Sequence, residues 1–465
     1  MTSFFGFGFR RGLSLALVWG TAVSTTACMQ TVFIGGGGGE GGSGGSGGTG
    51  TGAGEDGGGD GGTQTQSTSS SPGCDSACSE GPCDEAGQCQ LEAVETCTPE
   101  STCARGECLE GTCRCAISIA GSPYLACAVV SDGSVWCGGD NSVGQTGNGT
   151  TDPVGSSFVK ALAPAGAVAV ATSGALTCAL HQDASVSCWG LNFHAQTGAG
   201  YQSMGVLLPV TLPAIGAGAA KIMVTDHHAC ALDTQGKLYC WGNNGGGQTG
   251  TSEGPDVVAP AEAVNVSALG TVVDVDGDFN RTCALLADGT VWCFGKNDDA
   301  PIGDGSTSGY NPVPVQAAGL DQAVEISVGT WNTCARRTDG TVWCWGIQLE
   351  PTVDPYLVPA PVPGMTGAVE IGVGRSHVCL RKADGTVWCR GSNIYGEIGV
   401  DPPSEWEPPT QVLGLPGPAV ELSVQESRSC ARLVDDSMWC WGATATSMVG
   451  EVPNPTPEKL AVPCP

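Results

Sequence analysis

The chain has 465 residues, with 74 glycines, 29 prolines and 6% aromatic residues, a composition that favours many turns and short strands over long helices. Its formal net charge of −28 repels nucleic acid phosphates and anionic lipid headgroups, which excludes both as partners of the surface. Twenty-five cysteines exclude a reducing cytosol, where most would remain free thiols, and predict export to an oxidising compartment.

The N-terminus predicts a signal peptide over residues 1–27. Arg10 and Arg11 precede the apolar run GLSLALVWGTAV, which is too short to span a bilayer but fits a signal-peptide core. The run ends in STTAC, which resembles a bacterial lipoprotein cleavage site and predicts lipidation of Cys28. Ordinary cleavage is the alternative, because Thr25 stands where such sites usually carry Leu. Lipidation would place the protein in the bacterial cell envelope, at the outer membrane or cell surface, with membrane contact only through the anchor.

Two segments of distinct composition follow. Residues 28–73 are a Gly/Ser-rich stretch that cannot bury a core and predicts a disordered tether. Residues 74–114 carry two groups of four cysteines with similar spacing, which predict two small disulfide-rich modules of undetermined connectivity. Zinc is the alternative, but the spacings are not paired C-x-x-C and the segment lacks histidine. The cysteines are Cys74, Cys78, Cys83 and Cys89, then Cys97, Cys103, Cys108 and Cys113.

The remainder, residues 115–465, repeats. Seven cysteine pairs share a separation of ten positions, and the period is 51 to 53 residues except for one interval of 45. Self-similarity at this period is typical of a propeller or solenoid. The pairs are Cys127 and Cys137, Cys178 and Cys188, Cys230 and Cys240, Cys283 and Cys293, Cys334 and Cys344, Cys379 and Cys389, and Cys430 and Cys440.

The spacing inside a pair predicts a disulfide across a hairpin. Cys283 and Cys293 are symmetric about Asp288, so a three-residue loop, Ala287–Gly289, places them opposite each other on antiparallel strands. Such a loop needs a left-handed third residue, which Gly289 supplies. Each bridge is expected to contribute ~2–3 kcal/mol. The third position is Gly133, Gly236, Gly340 and Gly385 in four other repeats, and Ala184 and Asp436 in two.

Each repeat predicts four short strands. Alternating segments such as AVEISVG at 323 and AVEIGVG at 368 precede the hairpin, and Pro-Val segments such as NPVPVQ at 311 follow it. The alternation is a strand signal. Four strands make one blade, so the fold class predicted is all-β, a seven-bladed β-propeller of four-stranded blades.

These repeats resemble the regulator-of-chromosome-condensation repeat family. DGTVWCWG at 339–346 matches its hairpin, WGNNGGGQTG at 241–250 matches its loop, and His228 and His377 fall at its histidine position. Arg390 departs from the usual aromatic residue, and the fifth repeat lacks the Gly-Gln loop. The resemblance implies a seven-bladed propeller over roughly 116–464 but no particular activity.

A cysteine count predicts how the ring closes. With Cys28 lipidated, 24 cysteines remain, of which 14 pair within blades and eight fit the small modules. Cys115 precedes the first blade and Cys464 ends the last, so a closed ring should bring them together. We therefore predict a Cys115–Cys464 bond near the top of the ~0–5 kcal/mol range for disulfides. Cys113 is the competing partner, since connectivity is not determined by sequence.

The sequence contains no recognisable catalytic motif and predicts no cofactor. His228 and His377 are interpreted as structural polar residues at strand ends. His227 should face the side opposite His228. Alternating aspartates in DVDGDFN resemble a calcium loop, but the Gly and Glu positions are wrong, and a solvated strand edge is the preferred interpretation. The calcium candidates are Asp274, Asp276 and Asp278.

The predicted function is a non-catalytic binding module for an unknown extracellular protein, displayed on the cell surface by a monomer that binds no nucleic acid. Variable loops on a rigid ring suit recognition. The tryptophans at hairpin ends are expected to pack between blades, with an exposed subset available to a partner. One alternative is a carbohydrate-binding or polysaccharide-degrading surface protein, favoured if carboxylates and aromatics converge on one face. The other is a structural envelope component.

Overall fold

The structure is a computed structural model that describes residues 107–109, 112–114, 116–122, 124–152, 154–251, 254–298, 301–307, 309–347, 356–435, 437–445 and 451–460. The predicted signal peptide, Cys28, the tether, most of the 74–114 segment, Cys115 and Cys464 lie outside these ranges. Within them, no helix has the length and apolar character needed to cross a membrane.

The described residues contain seven four-stranded sheets, or blades. Blade 1 contains β3 (Ala116–Gly121), β4 (Leu125–Val130), β5 (Val135–Gly139) and β6 (Gly155–Lys160). Blade 2 contains β7 (Ala167–Thr172), β8 (Leu176–His181), β9 (Val186–Leu191) and β10 (Gly205–Thr211). Blade 3 contains β11 (Ala219–Val224), β12 (His228–Asp233), β13 (Leu238–Gly242) and β14 (Val257–Glu262). Blade 4 contains β15 (Val272–Asp278), β16 (Arg281–Leu286), β17 (Val291–Lys296) and β18 (Tyr310–Gln316).

Blade 5 contains β19 (Ala323–Val328), β20 (Asn332–Arg337), β21 (Val342–Gly346) and β22 (Tyr356–Pro361). Blade 6 contains β23 (Ala368–Val373), β24 (His377–Lys382), β25 (Val387–Asn393) and β26 (Ser404–Gln411). Blade 7 contains β27 (Ala419–Gln425), β28 (Arg428–Leu433), β29 (Met438–Ala445) and β30 (Glu451–Leu460). The other elements are β1 (Glu107–Leu109) and β2 (Thr112–Arg114), which pair with each other, and the short helix α1 (Val264–Ser267).

Every blade is an antiparallel meander whose strands pair in chain order. We call them A, B, C and D from the ring axis outwards, because residues of the seven A strands line one axial channel. Seven apolar cores hold the ring together, and each joins residues of two consecutive blades. The predicted all-β, seven-bladed propeller is thus confirmed.

The predicted disulfide hairpins are also confirmed. All seven pairs are bonded, with Cα–Cα separations of 4.0 to 4.1 Å, as expected for residues directly opposite on antiparallel strands. In each blade the first cysteine lies on strand B and the second on strand C. The bonds join Cys127 to Cys137, Cys178 to Cys188, Cys230 to Cys240, Cys283 to Cys293, Cys334 to Cys344, Cys379 to Cys389, and Cys430 to Cys440.

The loop between the two cysteines has the predicted conformation. In blade 4 the Gly289 amide donates to the Leu286 carbonyl, which closes the three-residue loop. Ala184 adopts the same left-handed conformation with φ 64° in place of glycine. Asp436 lies outside the described residues.

The ring closes between blades 7 and 1. Ala116, Ile119 and Ala128 share one apolar core with Met438 and the Cys430–Cys440 pair, and Leu460 completes this core. Every strand of blade 1 lies within 116–160 and every strand of blade 7 within 419–460. Neither blade therefore borrows a strand from the other end of the chain.

Candidate functional site

One face of the ring carries two sets of connections. Because consecutive strands are antiparallel, the turns from A to B and the loops from C to D emerge on the same side, which we call the loop face. The disulfide hairpins and the D-to-A links emerge on the opposite side, the hairpin face. Variable connections on a rigid ring are where recognition residues are usually found.

Buried tryptophans fix the C-to-D loops to the next blade. Trp189 is fully buried, and its Nε1 donates to the carbonyl of Gln145, 2.9 Å away in the loop of blade 1. Gly147 of that loop has φ +69° and approaches the same indole so closely that a Cβ would lie 2.6 Å from Nε1. The loops therefore act as connectors between blades, as the tryptophan prediction anticipated. Trp241, Trp345 and Trp441 repeat this bond to Gln196, Pro301 and Glu397.

A second group of tryptophans, one position before the second cysteine, is only partly buried. Trp343 and Trp388 belong to this group and lie under the cations of Arg337 and Lys382. Arg390, which replaces the usual aromatic residue, is buried and its guanidinium lies over Trp406.

The prediction of a solvated edge around Asp274 is wrong. Asp274, Glu325 and Glu370 occupy the same position on successive A strands and are 1 to 7% exposed. Together with Glu421 they form what we call the inner belt. Each has a cationic partner, namely Lys221 for Asp274, Arg336 for Glu325, Arg381 for Glu370 and Arg432 for Glu421.

The inner belt also links neighbouring blades. Glu325 Oε1 accepts the Ile371 amide at 3.3 Å, and Glu370 Oε1 accepts the Leu422 amide at 3.2 Å. Glu325 and Glu370 are buried because each satisfies a cation in its own blade and an amide in the next.

The calcium candidates do not converge on a cation. Asp274 pairs with Lys221, Asp276 Oδ2 accepts the Val328 amide at 2.8 Å, and Asp278 lies further along the strand at the loop face. Among the described residues, no group of three or more His, Cys, Asp or Glu side chains is arranged to hold a metal ion.

The repeat-position histidines are structural, as predicted. His228 Nε2 lies 2.7 Å from Thr282 Oγ1 of the next blade, and His377 Nε2 lies 2.8 Å from Ser429 Oγ. Burial lowers the pKa of both imidazoles to about 3. They are therefore neutral at any physiological pH. His227, one residue before His228, is partly exposed and has different partners.

An aromatic strip crosses the loop face from blade 2 to blade 4. We define it as His194, His227 and Phe279. The rings of His194 and His227 meet edge to face with centroids 5.6 Å apart, and those of His227 and Phe279 do so at 5.5 Å. Phe279 has φ 37°, a left-handed conformation that is rare for a bulky residue, and Glu426 has φ 38° at the same turn position of blade 7. In blade 5 the equivalent A-to-B turn carries Trp331, with the Arg375 guanidinium 6.0 Å from its ring.

Polar side chains hold the strip in place. His227 Nδ1 donates to Asn280 Oδ1 at 2.8 Å, and Gln248 Nε2 donates to the same oxygen at 3.1 Å. His194 Nδ1 lies 3.1 Å from Asp256 Oδ2. These partners come from blades 3 and 4, so the strip depends on the packing of adjacent blades.

Beside the strip lies the mouth of the axial channel. We define the channel mouth by Ser173, Asp226, Asp278 and Thr330, which all line the channel. Burial raises the pKa of Asp226, an effect that Ser173 partly offsets, and it raises the pKa of Asp278 to about 6, partly offset by the charge of Arg281. Each carboxylate therefore has a charge that the fold stabilises poorly.

This arrangement offers contact groups for a partner. His194 and Asp256 resemble two members of a hydrolytic triad, but in the described part of the chain no serine or cysteine hydrogen-bonds to the other ring nitrogen of His194. The fourteen blade cysteines are in disulfides. Partly exposed aromatic rings beside carboxylates can contact a partner without any reacting atom.

The residues of the strip and mouth were largely missed by the sequence analysis. His227 was a candidate from the sequence alone, whereas Asp226, Phe279 and Trp331 were not. A usable signal was present, because the position four residues before the first cysteine differs in every repeat while the hairpin stays constant. The residues at that position are Pro123, Gly174, Asp226, Phe279, Thr330, Arg375 and Glu426.

Comparison with known proteins supports the same fold. The family model described as regulator of chromosome condensation (RCC1) repeat matches residues 221–248, 272–299, 323–348 and 368–397, which cover strands A to C of blades 3 to 6. The human E3 ubiquitin-protein ligase HERC2 is 27% identical over 249 residues, 50% of this chain. The matched region covers only 5% of that ligase.

Two solved structures resemble most of the ring. Human WBSCR16 superposes with a TM-score of 0.62 at 18% identity, over 72% of this chain and 92% of that one. Prp20p from Saccharomyces cerevisiae superposes with a TM-score of 0.58 at 17% identity, over 66% of this chain and 80% of that one, and its structure was described with binding to Gsp1p and histones. The described ring is therefore an RCC1-like seven-bladed propeller.

Proposed function

We propose that this protein is an exported, non-catalytic binding module that recognises another protein through the aromatic strip and channel mouth of its loop face. The observation that carries the proposal is the strip itself, three rings on the connections of adjacent blades, one of them held in a strained backbone conformation. Aromatic residues at the centre of an exposed face are typical anchors of protein interfaces. The similarity to Prp20p, described as binding proteins, supports this class of function.

The test exploits two left-handed residues on opposite faces. Phe279→Gly removes the ring and relieves backbone strain of about 1 kcal/mol. Ala184→Gly gives the same relief on the hairpin face, where φ is 64°. Immobilised wild-type and variant proteins are used to capture extracellular proteins, which are identified by mass spectrometry. A partner should bind wild-type and Ala184→Gly, and binding should fall at least tenfold in Phe279→Gly while the fold stays as stable or more stable. Equal binding by all three would exclude the strip.

Carbohydrate recognition is the second candidate. Asp226, Asp278 and the aromatic strip converge on one face, which is the arrangement expected for a sugar-binding or sugar-cleaving surface. Against it, His227 and Phe279 contact edge to face rather than presenting one open stacking platform. A glycan array separates the two functions. Saturable glycan binding that Phe279→Gly abolishes, or polysaccharide hydrolysis that Asp278→Asn abolishes, would replace the protein-binding proposal.

Display at the cell surface through a lipid on Cys28 is part of the proposal. Seven buried disulfides require an oxidising compartment, which supports export. Metabolic labelling with a fatty acid should label the wild-type protein and spare Cys28→Ser. Equal labelling of both would remove the anchor and leave a released protein.

A further inference from the structure

The carboxylates of the channel mouth differ from the other inner carboxylates of the ring. Glu325 and Glu370 of the inner belt each accept a hydrogen bond from an arginine Nε at 2.7 Å. In the described residues, neither Asp226 nor Asp278 has an ion pair. Arg281, the cation nearest to Asp278 in sequence, directs its Nη2 to the carbonyl of Gly329 instead. The fold therefore gives the inner-belt carboxylates direct contact with a cation and withholds that contact from the two aspartates of the mouth.

In the described residues, the carboxylates of the mouth hydrogen-bond only to neutral donors. Oδ1 of Asp278 accepts the Phe279 amide at 3.0 Å, and the hydroxyls of Thr330 and Ser173 lie beside Asp278 and Asp226, where they partly offset the effect of burial on the pKa of each carboxyl. Buried polar atoms are nearly always satisfied by protein, water or ligand. Two carboxylates that line the same opening with only neutral donors hydrogen-bonded to them indicate a ligand that carries a positive charge.

The channel limits the size of that ligand. Its cavity volume is about 100 Å³, room for several ordered waters. Its walls also include apolar side chains such as Met223 and Val275. One unbranched side chain with a cationic end matches this space, whereas a folded segment does not.

We infer that the channel mouth is a subsite for the side-chain cation of a lysine or arginine on the partner protein, an inference that rests on the proposed function. The ammonium or guanidinium lies against the half-buried Asp226, with Ser173 and Asp278 beside it, and the aromatic strip covers the adjacent surface. The net charge of −28 favours approach of a basic segment.

The test uses small probes on the full chain. N-acetyl-lysine methylamide and its uncharged isostere N-acetyl-norleucine methylamide are titrated by ligand-observed NMR. The lysine probe should bind at least tenfold more tightly than the norleucine probe. Asp226→Asn and Asp278→Asn should each weaken the lysine probe about tenfold, as expected for loss of a charge-assisted contact. Asp152→Asn is the matched control, because Asp152 is an exposed carboxylate on a C-to-D loop, and it should bind as wild-type does.

Thermal stability provides an independent measurement. Burial disfavours the charged form of Asp278 and raises its pKa, so Asp278→Asn should raise the melting temperature at pH 7 while weakening the lysine probe. A carboxylate with a purely structural role would lose stability on the same change. A fall in melting temperature together with unchanged probe binding would overturn the subsite.

The subsite and the proposed function fail in different ways. If Phe279→Gly loses a captured partner but both probes bind equally, the strip recognises a protein and the cation subsite is wrong. If the lysine probe shows the expected pattern but no captured partner depends on Phe279, the subsite exists and the protein-binding proposal is wrong. Equal binding of both probes by wild-type and variants excludes the subsite outright.

Discussion

Two interfaces of the ring bury different side chains. One lies between blades 4 and 5, and the other between blades 7 and 1. The first buries Trp345, whose Nε1 donates to the Pro301 carbonyl at 2.8 Å, and an inner-belt bond from the Ile326 amide to Asp274 crosses it at 3.4 Å. In the second, Gly138 occupies the tryptophan position. The seam between blades 7 and 1 therefore has a core without an aromatic ring.

The inner belt is likewise present at the interface of blades 4 and 5 and missing on the blade 1 side of the seam. Blades 4 to 7 carry a carboxylate at the belt position, whereas Ser118 and Ala169 occupy it in blades 1 and 2. Across the seam, Arg428 Nη1 donates to the Ser122 carbonyl at 3.4 Å. Interior interfaces are joined by a short stretch of continuous chain, while the seam joins residues some three hundred positions apart. The comparison indicates that ring closure is where the propeller has the least packing and most needs a covalent link.

The largest loss of stability is expected on removal of the predicted Cys115–Cys464 bond. Ala116 and Leu460, close in sequence to these cysteines, pack in one core, and Cys113 is the backbone partner of Cys108 in the β1–β2 pair. Cys464→Ser should lower the free energy of unfolding by about 4 kcal/mol, because the bond closes a loop of several hundred residues. Non-reducing peptide mapping of the wild-type protein should yield the Cys115–Cys464 peptide. A Cys464 that is free, or bonded to Cys113, would disprove this closure.

The next prediction compares the stability cost of truncating one side chain in the core between blades 4 and 5 with that of truncating one in the core of the seam. Trp345→Ala should cost about 3–5 kcal/mol, because it removes a fully buried ring and its hydrogen bond. Met438→Ala, at the seam, should cost about 2 kcal/mol, since the smaller core loses less apolar volume. Urea unfolding under non-reducing conditions measures both. Equal costs would show that the seam is packed as well as the interior.

The smallest predicted effect is a loss of folding stability at acidic pH. His377 faces Ser429 in the interior interface of blades 6 and 7, whereas blade 7 carries Arg428 at the same position, facing the seam. The pKa of His377 is about 3 when folded and about 6.5 when unfolded. The unfolded state therefore takes up the proton first, and stability is lost as pH falls through this range. His377→Asn copies the residue of blade 5, Asn332.

Relative to this variant, the wild-type protein should lose about 2 kcal/mol of stability between pH 7 and pH 5. The comparison cancels the opposite contribution of groups with raised pKa, such as Asp278 and Glu325, which are present in both proteins. Unfolding curves at both pH values provide the measurement. A constant stability difference would mean that His377 is not held neutral by burial.

The repeat was predictable because its information is local. Eleven residues, from Cys283 to Cys293, contain both cysteines and the turn that opposes them, so each hairpin bond could be inferred without knowledge of any other blade. The same holds for the left-handed conformation at Ala184, which its place in the repeat already implied. The burial of Asp274 was not predictable in this way, because its partners Lys221 and the Ile326 amide belong to the preceding and following blades.

By itself, the sequence determined the number of blades, the strands within each blade and the seven cross-hairpin bonds, since spacing and turn chemistry act over a few residues. Only the tertiary structure decided which side chains share the loop face. The aromatic strip and channel mouth draw residues from blades 2 to 5, over a hundred positions of chain, and ring closure places them side by side. Burial raises the pKa values of Asp226 and Asp278. That burial depends on neighbouring blades and cannot be inferred from a single repeat.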